Sequence, residues 1–295
     1  MAINVDALPQ YVEEKKLGLI RKAVIGARTV EEVNLQTGIK GDTALNLLVT
    51  DVTLGDGSNC GWTEDGTSTI SQRILKAHPY KVNLAFCDKQ LLKTWLNYDV
   101  RVAAGQKTLP FEEDFIGGVV EDVQAKLEVA LWQGTDGFQS ILDAATLAGT
   151  YKSSSSDSAT KIINETYALL PSAAFEKGEV VMFVGQDTYR KYIQELIANG
   201  NLVITNVIAD VAMPASVLIP GTNVRVIPVG GLDGQSYKAV ASYRDNFVYG
   251  TDLADDNEKF DFWYSQDNRE FRLAIEFTAG VQIAFPDLVA VTKQS

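Results

Sequence analysis

The sequence predicts an α+β fold, in which strands and helices occur in separate runs of the chain. Residues 44–52 and 69–75 are strand-like and flank a segment rich in Gly, Asp, Ser and Asn, which is typical of a long β-hairpin. Residues 111–134 carry apolar side chains at spacings of three and four, which predicts one long amphipathic helix. Residues 271–285 are a long strand-like run, so we expect the chain to close with β structure.

Composition limits the class of protein. The chain has 295 residues, enough for one large domain or two modest ones. Its formal net charge of −12 argues against a nucleic-acid-binding domain, but not against a container that merely encloses nucleic acid. Cys60 and Cys87 are too few for a disulfide framework, which favours an intracellular protein. We expect no secretory signal and no membrane span.

Residues 1–41 are predicted to form an N-terminal arm. The segment 15–28 contains basic residues and no acidic ones, and Gly18 and Gly26 are expected to interrupt any helix. The basic residues are Lys15, Lys16, Arg21, Lys22 and Arg28. Two interpretations stay open, a solvated terminal tail and a strap that contacts an acidic surface of a neighbouring subunit.

Residues 42–80 contain the predicted hairpin. A two-stranded hairpin of this length is barely stable alone in water, so it needs a surface to lie on. Its tip carries few apolar groups besides Leu54 and Trp62, and Cys60 lies between them. We therefore expect this surface to belong to another subunit, with Leu54, Cys60, Trp62 and Ile70 among the contacts.

The middle of the chain is expected to be helical and then mixed. Residues 81–86 are strand-like, and Asp88 is the predicted cap of a short helix. The long helix at 111–134 is either a rigid spine for an extended subunit or simply a long core helix. Residues 135–245 are predicted to form an α/β unit, with helices at 159–170 and after Asp187, and strands at 179–184, 223–229 and 237–242.

The C-terminal region, residues 246–295, is predicted to be β structure with Gly280 at a bulge or bend. Its connecting loop is acidic, and a calcium loop is conceivable although the EF-hand spacing is missing. A solvated turn is the favoured interpretation, and the loop is also a candidate partner for the basic residues of the arm. The acidic loop residues are Asp252, Asp255, Asp256 and Glu258, followed by Asp261.

Sequence motifs for catalysis are not found. The single histidine, His78, lies in the predicted hairpin stem, and no G-x-S-x-G nucleophile elbow or G-x-x-x-x-G-K-[ST] phosphate loop occurs. One histidine and two cysteines are too few for a zinc site. The sequence therefore predicts a protein without catalytic, cofactor or metal sites, which favours a structural role over an enzyme.

The order of these segments resembles the major capsid proteins of tailed double-stranded-DNA phages, which have the Hong Kong 97 fold. The resemblance is carried by residues 70–96, the helix at 111–132 and the run 261–291. It implies an N-arm at 1–41 and an extended E-loop hairpin at 42–80. It further implies a peripheral domain at 81–134 and 246–295, with the long helix as its spine, and an axial α/β domain at 135–245.

The resemblance also implies a function. Pentamers and hexamers of the chain would close into an icosahedral phage head around double-stranded DNA, without sequence-specific binding. Portal, scaffold and decoration proteins would be partners, and the head would assemble in the host cytoplasm and become a component of the virion. Residues 206–216 are a candidate for the centre of each ring. Because the tip at 51–69 contains no lysine, we expect no isopeptide cross-link of the kind some relatives form.

Two other interpretations compete with a phage head. An encapsulin-like compartment resembles the same fold but would enclose enzymes in place of a genome. A hydrolase or sugar-binding protein built on residues 135–245 would need a pocket with convergent polar groups. The encapsulin-like compartment would differ from a phage head in what it encloses. The hydrolase or sugar-binding protein would be a monomer with catalytic turnover or ligand binding.

Overall fold

Helices pack on two larger sheets, and a separate hairpin completes the fold. The computed structural model describes residues 7–53, 66–87, 111–145, 150–200, 216–252 and 259–294. The helices are α1 (Ala7–Ile25), α2 (Arg28–Glu31), α3 (Phe111–Gln133), α4 (Phe138–Ala144), α5 (Ala159–Leu169), α6 (Ser172–Lys177) and α7 (Gln186–Ala198). The strands are β1 (Asn34–Thr37), β2 (Thr43–Val52), β3 (Gly66–Leu75), β4 (His78–Cys87), β5 (Tyr151–Ser154), β6 (Val180–Gly185), β7 (Val217–Leu218), β8 (Arg225–Val229), β9 (Tyr237–Tyr243), β10 (Phe247–Thr251), β11 (Lys259–Ser265), β12 (Glu270–Ile283) and β13 (Ala290–Gln294).

The long helix α3 confirms the helix predicted from the apolar stripe. Its buried residues follow the predicted spacing of three and four. They are Ile116, Val120, Val123, Leu127 and Leu131. This face packs on α1 and on the inner faces of both larger sheets, so α3 lies in the main hydrophobic core.

The N-terminal segment differs from the prediction at Gly18. This glycine lies inside α1, which continues to Ile25, whereas Gly26 follows the end of the helix. A glycine inside a helix costs about 1 kcal/mol relative to alanine. Burial of Val12, Ile20 and Val24 against the core offsets that cost, because each buried apolar side chain contributes about 1.5–3 kcal/mol. Tertiary packing therefore overrides the local propensity.

The five-stranded sheet is organised around β12, which pairs antiparallel with β4, β10 and β11, while β1 pairs parallel with β10. Alternate residues of β12 are buried, as expected of a sheet with one face on the core. Gly280 does not form the predicted bulge. It pairs in register with Gly250 of β10, and the strand continues through it.

The six-stranded sheet has the order β5-β13-β9-β6-β8-β7. One face packs under α5 and α7, and the other face packs toward α3 and α4. The predicted helices and strands of this α/β unit are present. Asp187 is not the N-cap of α7, however, because Gly185 occupies that position and Asp187 lies in the first turn.

The predicted hairpin is present as an antiparallel pair, β2 with β3, that forms a sheet of its own. Its tip at 54–65 and the predicted helix that begins at Asp88 lie outside the described residues. His78 begins β4 of the five-stranded sheet, so it lies beyond the hairpin stem in which the sequence placed it.

Candidate assembly interface

The hairpin presents an apolar stripe on one face. Residues directly opposite each other in an antiparallel pair lie on the same face, and the register pairs Leu48 with Ile70 and Ala44 with Ile74. Leu48, Val52, Ile70 and Ile74 therefore share one face, and they are 61%, 69%, 73% and 56% exposed. Asn46 and Gln72, also on this face, hydrogen-bond to each other at 2.8 Å. The isolated chain leaves this stripe in water.

The base of the hairpin, by contrast, is anchored to the body of the chain. On the opposite face, Leu45 and Leu75 are buried in a small cluster with Ile39 and Val248. Gly250 makes room for this cluster, because a Cβ there would lie 2.6 Å from Ile39 and 3.0 Å from Leu75. The hairpin is thus fixed at its base, and its described strand residues beyond the base are mostly exposed.

A carboxylate holds the junction between the hairpin and β4. The junction consists of Lys76 and Ala77. Asp136, in the loop between α3 and α4, accepts a hydrogen bond from Lys76 Nζ at 2.9 Å on Oδ1 and contacts His78 Nε2 at 2.7 Å with Oδ2. The hydrogen bond from Lys76, followed by that from His78, holds the pKa of Asp136 below its usual range.

The predicted arm contacts fall into two groups. Lys16 pairs with Asp261 of β11 at 3.0 Å, and Arg28 pairs with Glu31 at 3.1 Å, so both are used within the chain. Contacts of these two residues with a neighbouring subunit stay a prediction, because their side chains remain partly exposed. Lys15, Arg21 and Lys22 are exposed on α1, and their role in contacts between subunits stays a prediction.

A buried polar cluster holds α2 against α3. Thr29 donates its hydroxyl to Glu128 and accepts a hydrogen bond from Trp132 Nε1 at 2.8 Å, while its backbone N–H donates to Glu128 at 3.0 Å. Burial raises the pKa of Glu128, and the hydrogen bonds from Thr29 oppose that change. No sequence pattern indicates this cluster, because its partners are about a hundred residues apart.

A second polar contact joins α2 to the six-stranded sheet. Arg225 of β8 donates to both carboxylate oxygens of Glu32, at 3.2 and 2.9 Å, and its Nε donates to Glu179 at 2.7 Å. Two parallel hydrogen bonds of this kind fix orientation as well as distance. The residues that follow α1 are therefore integrated into the fold of their own chain.

The acidic loop is only partly described. Asp252 is 3% exposed, which corrects the expectation that it lies in a solvated turn. Asp255, Asp256 and Glu258 lie outside the described residues, as do Leu54, Cys60 and Trp62 of the hairpin tip. Of the predicted hairpin contacts, Ile70 alone is described, and it lies on the apolar stripe.

Polar contacts in the α/β unit brace its sheet. Tyr237 donates its hydroxyl to Asp143 of α4 at 2.6 Å, and Lys293 of β13 donates to the same carboxylate. Asn246 hydrogen-bonds Ser242 and the backbone of Phe285.

Among the described residues, no cluster of three His, Cys, Asp or Glu side chains is placed to hold a metal ion, and no helix is long and apolar enough to cross a membrane.

Sequence reasoning missed Leu48, Val52 and Ile74 of the stripe. Residues 44–52 are strand-like in sequence, but which of them share a face with Ile70 depends on the strand register. In that register, Thr43 pairs with Leu75. Because the loop that joins the two strands is long, this pairing could not be predicted from the sequence. Asp136 was missed because it lies far from Lys76 and His78 along the chain.

The fold of this chain is shared with proteins of known structure, although its sequence is not similar to theirs. No protein-family model and no curated protein sequence matches this chain. The solved structures that it resembles include a chain of the satellite phage P4 procapsid with its size determination protein, with a TM-score of 0.61 at 8% identity, covering 95% of this chain and 91% of that chain. A chain from the capsid of a native GTA particle gives a TM-score of 0.58 at 12% identity, covering 93% of this chain and 90% of that chain.

A third similar structure is a virus-like particle from Pyrococcus furiosus, with a TM-score of 0.54 at 11% identity, covering 95% of this chain and 98% of that chain. Each comparison spans nearly the full length of both chains, although the sequences share little identity. The chain therefore has the same fold as these capsid and particle chains, which confirms the capsid-protein resemblance at the level of the fold.

Proposed function

We propose that this chain is a structural shell protein that assembles with copies of itself, and that it is not an enzyme. The single observation that carries this is the exposed stripe of Leu48, Val52, Ile70 and Ile74, on a hairpin whose base is anchored in a buried cluster. The fold shared with capsid and particle chains supports the same conclusion. The occupant proposed for the stripe is a second copy of the chain.

The energetics favour such docking. Fully burying a Val, Leu or Ile side chain contributes about 1.5–3 kcal/mol. The four stripe residues are more than half exposed, so a covering surface gains several kcal/mol before the entropy cost of association. A hairpin on one copy that meets a different surface on the next copy makes a head-to-tail contact, and such contacts close into rings when the rotation permits.

In its finer form, the proposal is a phage major capsid protein. Pentamers and hexamers would form an icosahedral head around double-stranded DNA, assembled in the host cytoplasm and retained in the virion. The net charge of −12 suits a lining that does not bind the enclosed DNA. Portal, scaffold and decoration proteins are the expected partners.

The proposal also assigns a role to each region of the chain. Residues 42–80 would be the E-loop, and residues 81–134 with 246–295 the peripheral domain around α3. Residues 135–245 would be the axial domain, with 206–216 near the ring centre. Within the N-terminal segment, residues 1–41, α1 and α2 pack on their own chain. The basic residues proposed for contacts between subunits are Lys15, Lys16, Arg21, Lys22 and Arg28.

A second candidate is an encapsulin-like compartment. The similarity to a virus-like particle from Pyrococcus furiosus favours it, because that chain is matched over 98% of its length. Both candidates are closed shells and use the same hairpin contact. Nucleic acid inside purified particles would favour the phage head, and enclosed protein would favour the compartment.

The test compares two adjacent cross-strand pairs on opposite faces of the hairpin. The variant Leu48→Asp/Ile70→Asp places two charges on the stripe, and Val49→Asp/Thr69→Asp places two charges on the other face, one register position away. Analytical ultracentrifugation measures the assembled fraction of each full-length chain. We expect the stripe variant to remain monomeric and the other variant to assemble like the unmodified chain. Equal assembly by both variants would contradict docking through the stripe.

A further inference from the structure

The direction of the hairpin is set at a very short junction. Lys76 and Ala77 alone connect β3 of the hairpin to β4 of the five-stranded sheet. Ala77 packs beside the small cluster at the hairpin base, and the junction backbone rests on Gly280, where a Cβ would lie 2.1 Å from the carbonyl oxygen of Lys76. Any change in the angle of the hairpin must therefore involve these two residues, together with residues 38–42, which connect β1 to β2.

Gly250 and Gly280 together form the seat for this junction. The two glycines are directly opposite each other in the β10–β12 ladder, so both leave space on the same face of the sheet. Leu75 lies over Gly250, and the backbone of Lys76 and Ala77 lies over Gly280. The two glycines thus let the junction pack closely on the sheet, and the side chains around it contribute the polar contacts.

Two side-chain contacts hold the hairpin in one direction relative to the five-stranded sheet. Gln282 of β12 donates to the carbonyl oxygen of Ile74 at 2.6 Å. Asp136 contacts Lys76 and His78, on the two sides of Ala77, with separate oxygens of one carboxylate at 2.9 and 2.7 Å. Because Asp136 lies shortly after the end of α3, this carboxylate ties the junction to the end of the long helix.

Space for movement lies beside the junction. A cleft of about 500 Å³ separates the hairpin base from α4 and the end of β12. Its walls include Arg73, Ile74, Asp136, Ile141, Gln282 and Asp287. Lys76 and His78 are about half exposed, and polar contacts at exposed positions contribute little to stability, so loss of their contacts with Asp136 is not expected to unfold the chain.

We propose that Asp136 is a latch that fixes the direction of the hairpin by holding Lys76 and His78 on either side of the Ala77 junction. With the latch closed, the hairpin presents its stripe in one orientation; with the latch open, the hairpin swings over the cleft. The latch matters for assembly only if the stripe docks on a second copy, so its biological role rests on the function proposed above.

The test measures the hairpin direction in the monomer by double electron–electron resonance. Nitroxides are placed on Thr67→Cys of β3 and Lys126→Cys of α3, both exposed positions, in full-length chain with Cys60 and Cys87 changed to Ser. The Leu48→Asp/Ile70→Asp changes are included to keep the sample monomeric. The variant Asp136→Asn removes the carboxylate charge and one of the two acceptor oxygens, which weakens the contacts with Lys76 and His78. Asp261→Asn, which weakens the exposed pair with Lys16 in the same way, is the matched control.

We expect one narrow distance distribution with Asp136 intact and with the Asp261→Asn control. Asp136→Asn should broaden the distribution or add a second distance, and Lys76→Met should do the same from the other side of the contact. An unchanged distribution in folded Asp136→Asn, or in Lys76→Met should Asp136→Asn not fold, would overturn the latch. Because the readout uses monomers, failure of the latch and failure of shell assembly are separate results.

Discussion

At the scale of single residues, the buried hydroxyl of Thr29 connects the N-terminal segment to the long helix. It lies between Glu128 and Trp132 and donates to one while it accepts from the other. A buried polar group that loses its partner keeps the full cost of desolvation. Removal of this hydroxyl therefore costs more stability than removal of a hydrogen-bonding group at the surface.

We predict that Thr29→Val, which keeps the shape and removes the hydroxyl, lowers the free energy of unfolding by about 1–3 kcal/mol. Trp132 Nε1 and one oxygen of Glu128 then lose their partner. Urea unfolding of the monomeric chain, followed by tryptophan fluorescence, gives the value. Thr67→Val, at an exposed position of β3, is the control and should be near neutral. Equal midpoints for the two variants would show that the cluster does not hold α2.

Two glutamates whose pKa values shift in opposite directions contribute to the pH dependence of stability. Burial raises the pKa of Glu128, so the folded chain binds a proton there more readily than the unfolded chain. Its ionisation therefore costs stability as the pH rises above about 4.3, the ordinary glutamate value. Burial also opposes ionisation of Glu195, but hydrogen bonds from Thr160, Ser158 and Ala159 outweigh it and lower its pKa. Glu195 contributes stability above about pH 4.3, which is lost as the pH falls through its lowered pKa.

We predict that Glu128→Gln becomes more stable relative to the unmodified chain as the pH rises from about 4 to about 7. Glu195→Gln should show the reverse, with its loss of stability largest near neutral pH and smallest in acid. Unfolding midpoints across this pH range measure both differences. Parallel curves for all three chains would refute the assignment of these carboxylates.

At the scale of elements, the seat of the hairpin depends on Gly280. We predict that Gly280→Ala lowers the free energy of unfolding by about 1–3 kcal/mol, because the new Cβ must displace the backbone of the junction. The control is Gly118→Ala on α3, where a Cβ meets no neighbouring atom and the better helix propensity should add about 1 kcal/mol. Thermal unfolding compares the two variants, and a neutral Gly280→Ala would mean that the seat is not tightly packed.

The sequence predicted elements whose periodicity reflects burial, and it failed where distant contacts decide the outcome. The helix α3 could be predicted from the spacing of its apolar residues, because one face of the helix packs against the core along its length. The continuation of α1 through Gly18 was not, because it depends on packing against α3. Likewise, Gly280 was interpreted as a bend, whereas its role is to admit the junction backbone of Lys76.

The candidate interface was predicted in outline only. The need of a long hairpin for an external surface followed from its length and composition. The residues expected to meet that surface were Leu54, Cys60, Trp62 and Ile70, of which the first three lie outside the described residues. The stripe that includes Ile70 emerged once the register of β2 and β3 was known, since a shift of one residue would exchange the two faces.

At the scale of the whole molecule, charge and apolar contact act on assembly in a predictable direction. A net charge of −12 makes copies of the chain repel one another, and salt screens that repulsion, whereas the stripe contact is apolar. We predict that the assembled fraction rises when NaCl is increased from about 0.05 M to about 0.5 M. Light scattering at fixed protein concentration measures it. Dissociation in salt would indicate that ion pairs, such as those proposed for Lys15, Arg21 and Lys22, dominate the contact instead.

Shell formation itself is tested most directly by negative-stain electron microscopy of the purified full-length chain, with light scattering on the same sample. We predict closed particles of uniform size, or rings of five and six copies where closure needs a scaffold protein. A chain that stays strictly monomeric at high concentration, with crowding agents and with a co-expressed scaffold, would contradict the proposed function and direct attention to ligand binding in residues 135–245.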